Sequence, residues 1–210
     1  MREYELYLFD FDNTLFDTRC GIEAILKASL PMLGIEYNEQ SFAECLGLSM
    51  EQVYRRYCGD DRTRYDAYIG EFMRIVNSDA YMGAQPFPEA RRVLDALKDD
   101  GKRIGIVSGK KSYKIVNLLR SQGMEGYPET IVGYDDTPLH KPNPDPILLG
   151  MSRFDVPREE TLYIGDSPND ALASEAVGID CAIVNRHNGL NDCECRCTYR
   201  IESLDEIIPR

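Results

Sequence analysis

Five short, largely apolar runs punctuate the chain: ELYLF at 5–9, RIGIV at 103–107, TIV at 130–132, TLYI at 161–164 and CAIV at 181–184. Their apolarity is continuous rather than alternating, which predicts strands covered on both faces, as in a parallel sheet. Helical spacing lies between them. Ala90, Val93, Leu94 and Leu97 recur at i, i+3, i+4 and i+7, predicting a helix over 88–100 that Gly101 stops. Ile115, Val116, Leu118 and Leu119 predict a second, with Ser112 as its candidate cap and an end near Gly123. A third runs from Pro168 to Gly178. Strands alternating with helices predict a doubly wound, Rossmann-like parallel α/β sheet.

Residues 17–85 break this rhythm. Ile22, Ile25, Leu26 and Leu33, then Tyr65, Tyr68, Ile69, Phe72 and Met73, mark successive amphipathic helices with no strand between them. The segment GAQPFPE at 83–89 reads as the way back to the sheet. The predicted organisation is an α/β core of residues 1–16 and 84–210, with a helical insertion at 17–83.

Composition narrows the function classes. Of 210 residues, 43% are hydrophobic and 29% charged, as expected of a globular chain. The formal charge of −12 argues against nucleic acid or an anionic membrane as partner, since both select for basic patches. No run approaches the length of a membrane span, and MREYELYLFD lacks a signal-peptide core, so the expected location is cytoplasmic. Seven cysteines, four of them scattered singly, suit reduced thiols. The exception is CECRC at 193–197. It reads either as a thiolate metal site or redox pair, or as a loop entering a last strand in CTYRIESL.

The strand ends carry the candidate chemistry. The first run exits into Asp10, the second into Ser108 and the fourth into Gly165–Asp166, while the third leads to a polar loop holding Lys141. Ligands of open parallel sheets bind outside the carboxyl ends of the strands, so these residues should converge. Asp10 and Asp12, spaced i and i+2, would point to one side of an extended strand and repel. A hard cation relieves that repulsion, and magnesium takes one or two carboxylates while keeping several waters. A capping pair at a strand end is the plain alternative. Lys141 alone could be a solvated loop lysine, and Asp166 and Asp170 helix-terminal acids.

Four segments together resemble the haloacid dehalogenase superfamily, in a phosphatase-type form with a small helical cap. DFDNTLFDT at 10–18 resembles its first motif, D-x-D-x-T, with Asn13 where many relatives have Gly. IVSGK at 106–110 resembles the second, HKPNPDP at 140–146 the third, and IGDSPND at 164–170 the fourth, G-D-x-x-x-D. They stand in family order over nearly the whole chain.

The resemblance implies a mechanism. Asp10 would be the nucleophile that forms an aspartyl-phosphate, and Asp12 the acid and base that serves leaving group and water. Mg2+ would bind the Asp10 and Asp166 carboxylates and the Asp12 backbone carbonyl. Ser108, Gly109 and Lys141 would hold phosphoryl oxygens, helped by backbone N–H groups after Asp10. Asp170 would order Lys141 or a metal-bound water. The Asp at position 12 favours a phosphatase or mutase over a dehalogenase. The chain looks most like the phosphoglycolate phosphatase group; a β-phosphoglucomutase-like isomerase, an inorganic pyrophosphatase and a regulatory protein without turnover are the alternatives. The cap would close over the crevice, and its Arg55, Arg56, Arg62 and Arg64 could meet an anionic leaving group or simply be solvated. Asp17 and Thr18 read as the start of the first cap helix, and YDD at 134–136 as a solvated loop. His140 and His187 stand outside the chemistry. The expected partner is a small phosphorylated metabolite, and the expected state a monomer or weak homodimer.

Overall fold

The computed structural model describes residues 1–46, 48–76, 84–186 and 196–209. Cys193, Cys195 and His187 lie outside the described residues. The chain divides into two compact units, Met1–Asp17 with Gln85–Arg210, and Thr18–Ala84.

In chain order, β1 (Leu6–Phe9) and β2 (Phe16–Asp17) lead into four helices of the second unit: α1 (Arg19–Ser29), α2 (Glu39–Cys45), α3 (Met50–Cys58) and α4 (Tyr65–Val76). The first unit resumes with β3 (Gln85–Pro86), α5 (Ala90–Asp99), β4 (Arg103–Val107), α6 (Ser112–Ser121), β5 (Thr130–Val132) and α7 (Asp145–Met151). It ends with β6 (Thr161–Gly165), α8 (Pro168–Val177), β7 (Asp180–Val184) and β8 (Tyr199–Ile201).

Six strands form one sheet in the order β5-β4-β1-β6-β7-β8, and every neighbouring pair is parallel. All four residues of β1 are buried. Leu6 and Leu8 meet Ile147 and Met151 of α7 and Ala171 and Val177 of α8 within one apolar cluster. Burial on both faces is why these strands read as unbroken apolar runs. Register then sets the site. Phe9 pairs with Ile106 on β4 and with Ile164 on β6. Asp10 is thus level with Val107 and Gly165, and Ser108 and Asp166 follow one residue on.

Helix ends follow the expected signals in part. Gly178 ends α8 with φ 78°, and Pro168 stands in its first turn behind Ser167 and Asp170, which form a capping box. Ser112 does not cap α6. Lys111 occupies that position without a side-chain bond, and Ser112 is the first helical residue. The Asp135 carboxylate accepts from the Ser112 N–H at 2.8 Å and from its hydroxyl. Asp136 accepts from the Gly133 N–H at 2.7 Å, so the 133–136 segment is a bonded turn, with Tyr134, Asp135 and Asp136 exposed to solvent as expected. Helix α7, in the proline-rich stretch after Lys141, was not signalled by periodicity.

The second unit has its own core of Leu26, Leu30, Leu33, Cys45, Val53, Tyr54 and Tyr68. Its arginines are engaged locally. Arg55 and Arg62 both pair with Glu51, Arg56 pairs with Glu44, and Arg64 donates to the Met32 carbonyl. Among the described residues no helix is long and apolar enough to cross a membrane.

The central strand should dominate stability. Leu8→Ala, at a fully buried position, is expected to cost about 2–5 kcal/mol in urea denaturation. Leu172→Ala, at a position 45% exposed, should stay within about 0.5 kcal/mol.

Candidate active site

The chain turns sharply after β1. The Leu15 and Phe16 N–H groups both donate to the Phe11 carbonyl, at 3.1 and 3.0 Å. Asn13 sits at the bend with φ 54°, a left-handed conformation that Gly and Asn tolerate best. Its presence in place of glycine therefore preserves the turn. The Asn13 N–H donates to the Phe16 carbonyl at 2.7 Å, so it serves the turn and not a phosphate oxygen. Arg186 braces the same turn, donating to the Thr14 carbonyl at 2.8 Å and pairing with Glu89.

Asp10 and Asp12 leave this segment into different surroundings. Asp10 is buried, and its Oδ1 accepts from Lys141 Nζ at 2.8 Å. Burial pushes its carboxyl up to about 6; Lys141 opposes that rise, while Asp170 and Asp12 add to it. Asp12 is half-buried and has a different lysine beside it: Lys110 Nζ lies 3.0 Å from its Oδ1, an ion pair without the alignment of a hydrogen bond.

Lys141 is the hub. Besides Asp10 its ammonium donates to Asp170 Oδ1 at 2.6 Å, to the Tyr163 hydroxyl at 2.7 Å and to the Val107 carbonyl at 3.3 Å. Burial pulls its ammonium down, but Asp10 and Asp170 outweigh that and hold it well above its ordinary value. Asp170 is fully used: its other oxygen accepts from the Ser167 hydroxyl at 2.6 Å and N–H at 3.1 Å. That packing requires Gly165, where a Cβ would come within 2.4 Å of the Asp170 carboxyl carbon.

Asp166, one residue past β6, is buried, and burial followed by the charges of Asp170 and Asp10 raises it well above the carboxylate range. Carboxylate oxygens of Asp10, Asp166 and Asp170 lie within 4.8 Å of one another. Four carboxyl groups (Asp10, Asp12, Asp166, Asp170) share two ammoniums (Lys110, Lys141), so full ionisation would leave an excess of two negative charges. Hard oxygen donors, crowded and reluctant to ionise without a counter-charge, fit a divalent cation. Asp170 is already committed to Lys141 and Ser167, which leaves Asp10 and Asp166 as the carboxylates suited to that role.

Ser108 is buried at the end of β4; its N–H donates to the Val132 carbonyl at 2.9 Å, and its hydroxyl accepts from the Lys110 N–H at 3.4 Å. Gly109 beside it is exposed, with open space where a Cβ would stand. His140 stacks on Tyr134 with ring centroids 3.9 Å apart. Cys181 is buried and Cys197 half-buried, both as free thiols. Two residues at the heart of the network carried no sequence signal: Tyr163 looks like any aromatic in a buried strand, and Lys110 like the first of two loop lysines.

Two outcomes follow from this geometry. Tyr163→Phe removes one donor to the Val107 carbonyl and one acceptor of Lys141, which still bond each other at 3.3 Å, so it should cost about 0.5–1.5 kcal/mol of stability in denaturant unfolding. Divalent-cation binding should release protons and tighten as pH rises through about 6, because the raised Asp10 and Asp166 carboxyls must ionise to serve as ligands. Calorimetry in buffers of different ionisation enthalpy reads the proton release; binding independent of pH and buffer would contradict it.

Known proteins resemble this chain in sequence and in fold. A family model described as haloacid dehalogenase-like hydrolase matches residues 7–184. The phosphoglycolate phosphatase of Photorhabdus laumondii is 32% identical over 183 residues, covering 82% of this chain and 76% of that one. The pyrophosphatase PpaX of Oceanobacillus iheyensis is 27% identical over 179 residues, covering 84% and 81%. The crystal structure of a protein from Bacteroides fragilis, assigned to the haloacid dehalogenase-like hydrolases, superposes with a TM-score of 0.86 at 29% identity, over 98% of this chain and 100% of that one. The chain therefore belongs to the haloacid dehalogenase-like hydrolase family, as an enzyme of its phosphatase type.

Proposed function

We propose that this enzyme is a Mg2+-dependent hydrolase of small phosphate monoesters that works through an aspartyl-phosphate on Asp10. The observation that carries the reading is the unequal setting of two aspartates two residues apart. Asp10 is buried on Lys141, whereas Asp12 keeps contact with solvent beside Lys110.

A buried carboxylate held by an ammonium has a fixed oxygen to present to phosphorus, and Lys141 resists its protonation. Asp12 stands where a proton can be exchanged. It gives one to the leaving oxygen as the ester bond breaks, then takes one from the water that hydrolyses the acyl phosphate. Ser108, at the end of the adjacent strand, is the hydroxyl nearest in register to Asp10 and serves a phosphoryl oxygen. Asp170 and Tyr163 keep Lys141 in place. Asp10, Asp166 and the Asp12 backbone carbonyl would hold Mg2+, which supplies charge neutralisation to the transferring group.

The relatives named phosphoglycolate phosphatase and pyrophosphatase support a small substrate with a second anionic group, acting as a free metabolite. The acidic balance of the chain agrees with that partner rather than nucleic acid. The pyrophosphatase relative favours one specific second reading, in which the leaving group is itself phosphate.

Phosphate release with Mg2+ from phosphoglycolate, pyrophosphate and hexose phosphates separates these readings. The expected result is fastest release from a monoester, with Asp10→Asn lowering it about a thousandfold or more. Undiminished turnover in Asp10→Asn overturns the proposal, and a rate on pyrophosphate exceeding every monoester transfers it to the second reading.

A further inference from the structure

A lysine head normally stays in water, yet the Lys110 side chain is 6% exposed, with its ammonium 3.0 Å from Asp12 Oδ1. Its backbone is fixed from below. The Lys110 carbonyl accepts from the Tyr134 N–H at 2.9 Å. Gly133 packs so closely that a Cβ there would lie 2.7 Å from that carbonyl and 2.4 Å from the Ser112 nitrogen. Asp135 grips Ser112, two residues on, through both its N–H and its hydroxyl. The lysine stem therefore leaves from a set point. Asp12 is held less firmly: its Oδ1 is buried but makes no aligned hydrogen bond, so the Lys110 charge is what orients it.

We infer that Lys110 is a positioning residue for Asp12, holding that carboxyl on the leaving-group side without touching the phosphoryl group itself. The inference rests on the phosphatase reading above. In that reaction the bond from Asp10 to phosphorus forms as the phosphorus–ester oxygen bond breaks. The electron pair stays on the ester oxygen, and the Asp12 proton goes to it. A basic leaving oxygen needs that proton in the transition state, and a weakly basic one departs without it. The worth of a residue that aims Asp12 must then grow with the basicity of the leaving group.

The test compares kcat/KM of wild type, Lys110→Met and Lys110→Arg on phenyl phosphate, a poor leaving group, and dinitrophenyl phosphate, a good one. The ratio of the two substrates on one preparation is insensitive to any misfolded fraction. Lys110→Met should lower kcat/KM on phenyl phosphate about tenfold to a hundredfold, and on dinitrophenyl phosphate less than about threefold. Lys110→Arg, which keeps the charge, should return most of the ratio. Inhibition by inorganic phosphate should stay within about threefold of wild type in Lys110→Met. Equal losses on both substrates, or an unchanged ratio, overturn the inference, as does a marked loss of phosphate inhibition, which would put Lys110 on the phosphoryl group. Asp10→Asn must silence both substrates whatever Lys110 does, so failure of the phosphatase reading shows in that variant and failure of this inference in the ratio.

Discussion

One ammonium group ties the site together. Lys141 Nζ is buried between Asp10, which follows β1, and Asp170, in the first turn of α8, and it also bonds the Tyr163 hydroxyl of β6 and the Val107 carbonyl of β4. Three adjacent strands thus meet at a single cation. Charges this deep are tolerated only when paired and fully bonded, and removing one member of such a set typically costs about 3–5 kcal/mol. The same contacts that keep Lys141 charged keep Asp10 aimed, so structure and chemistry draw on one network. Its supports reach outward. Ser167 fixes the second oxygen of Asp170, and Gly165 must lack a side chain for Asp170 to fit.

Around that hub the enzyme separates two carboxylates that the chain places only two residues apart. The Asn13 turn swings the segment after Asp10 out of the sheet, so Asp12 falls beside the β4–α6 loop and acquires Lys110 instead of Lys141. Burial and crowding make Asp10 and Asp166 reluctant to ionise, so a divalent cation bound there would displace their protons.

Much of this was readable from the sequence because the physics is local. Strands buried on both faces must be continuously apolar, and polar residues at their ends must face a crevice, so Asp10, Ser108 and Asp166 announced themselves. Other features depend on contacts distant in sequence. Nothing near Ser112 reveals that Asp135 caps α6, because the bond crosses 23 residues. Tyr163 has the composition of a core aromatic and the role of a polar anchor, a difference that lies in one hydroxyl and its partners. Helix α7 opens among prolines, which read as punctuation although Pro144 precedes the first helical residue and Pro146 fits its first turn. The arginines of the helical insertion could be read as solvated charges or as groups that meet an anion, and in the structure Arg55, Arg56 and Arg62 form exposed ion pairs with Glu51 and Glu44.

The central claim is that Asp10 itself becomes phosphorylated. Acid quench of the enzyme during steady turnover, followed by peptide mass spectrometry, reads this directly. The account predicts one phosphoryl group on the peptide spanning Glu3–Arg19, located at Asp10 and absent from the Asp10→Asn protein. Turnover with no phosphorylated peptide, or a phosphoryl group on Asp166 or elsewhere, would contradict it.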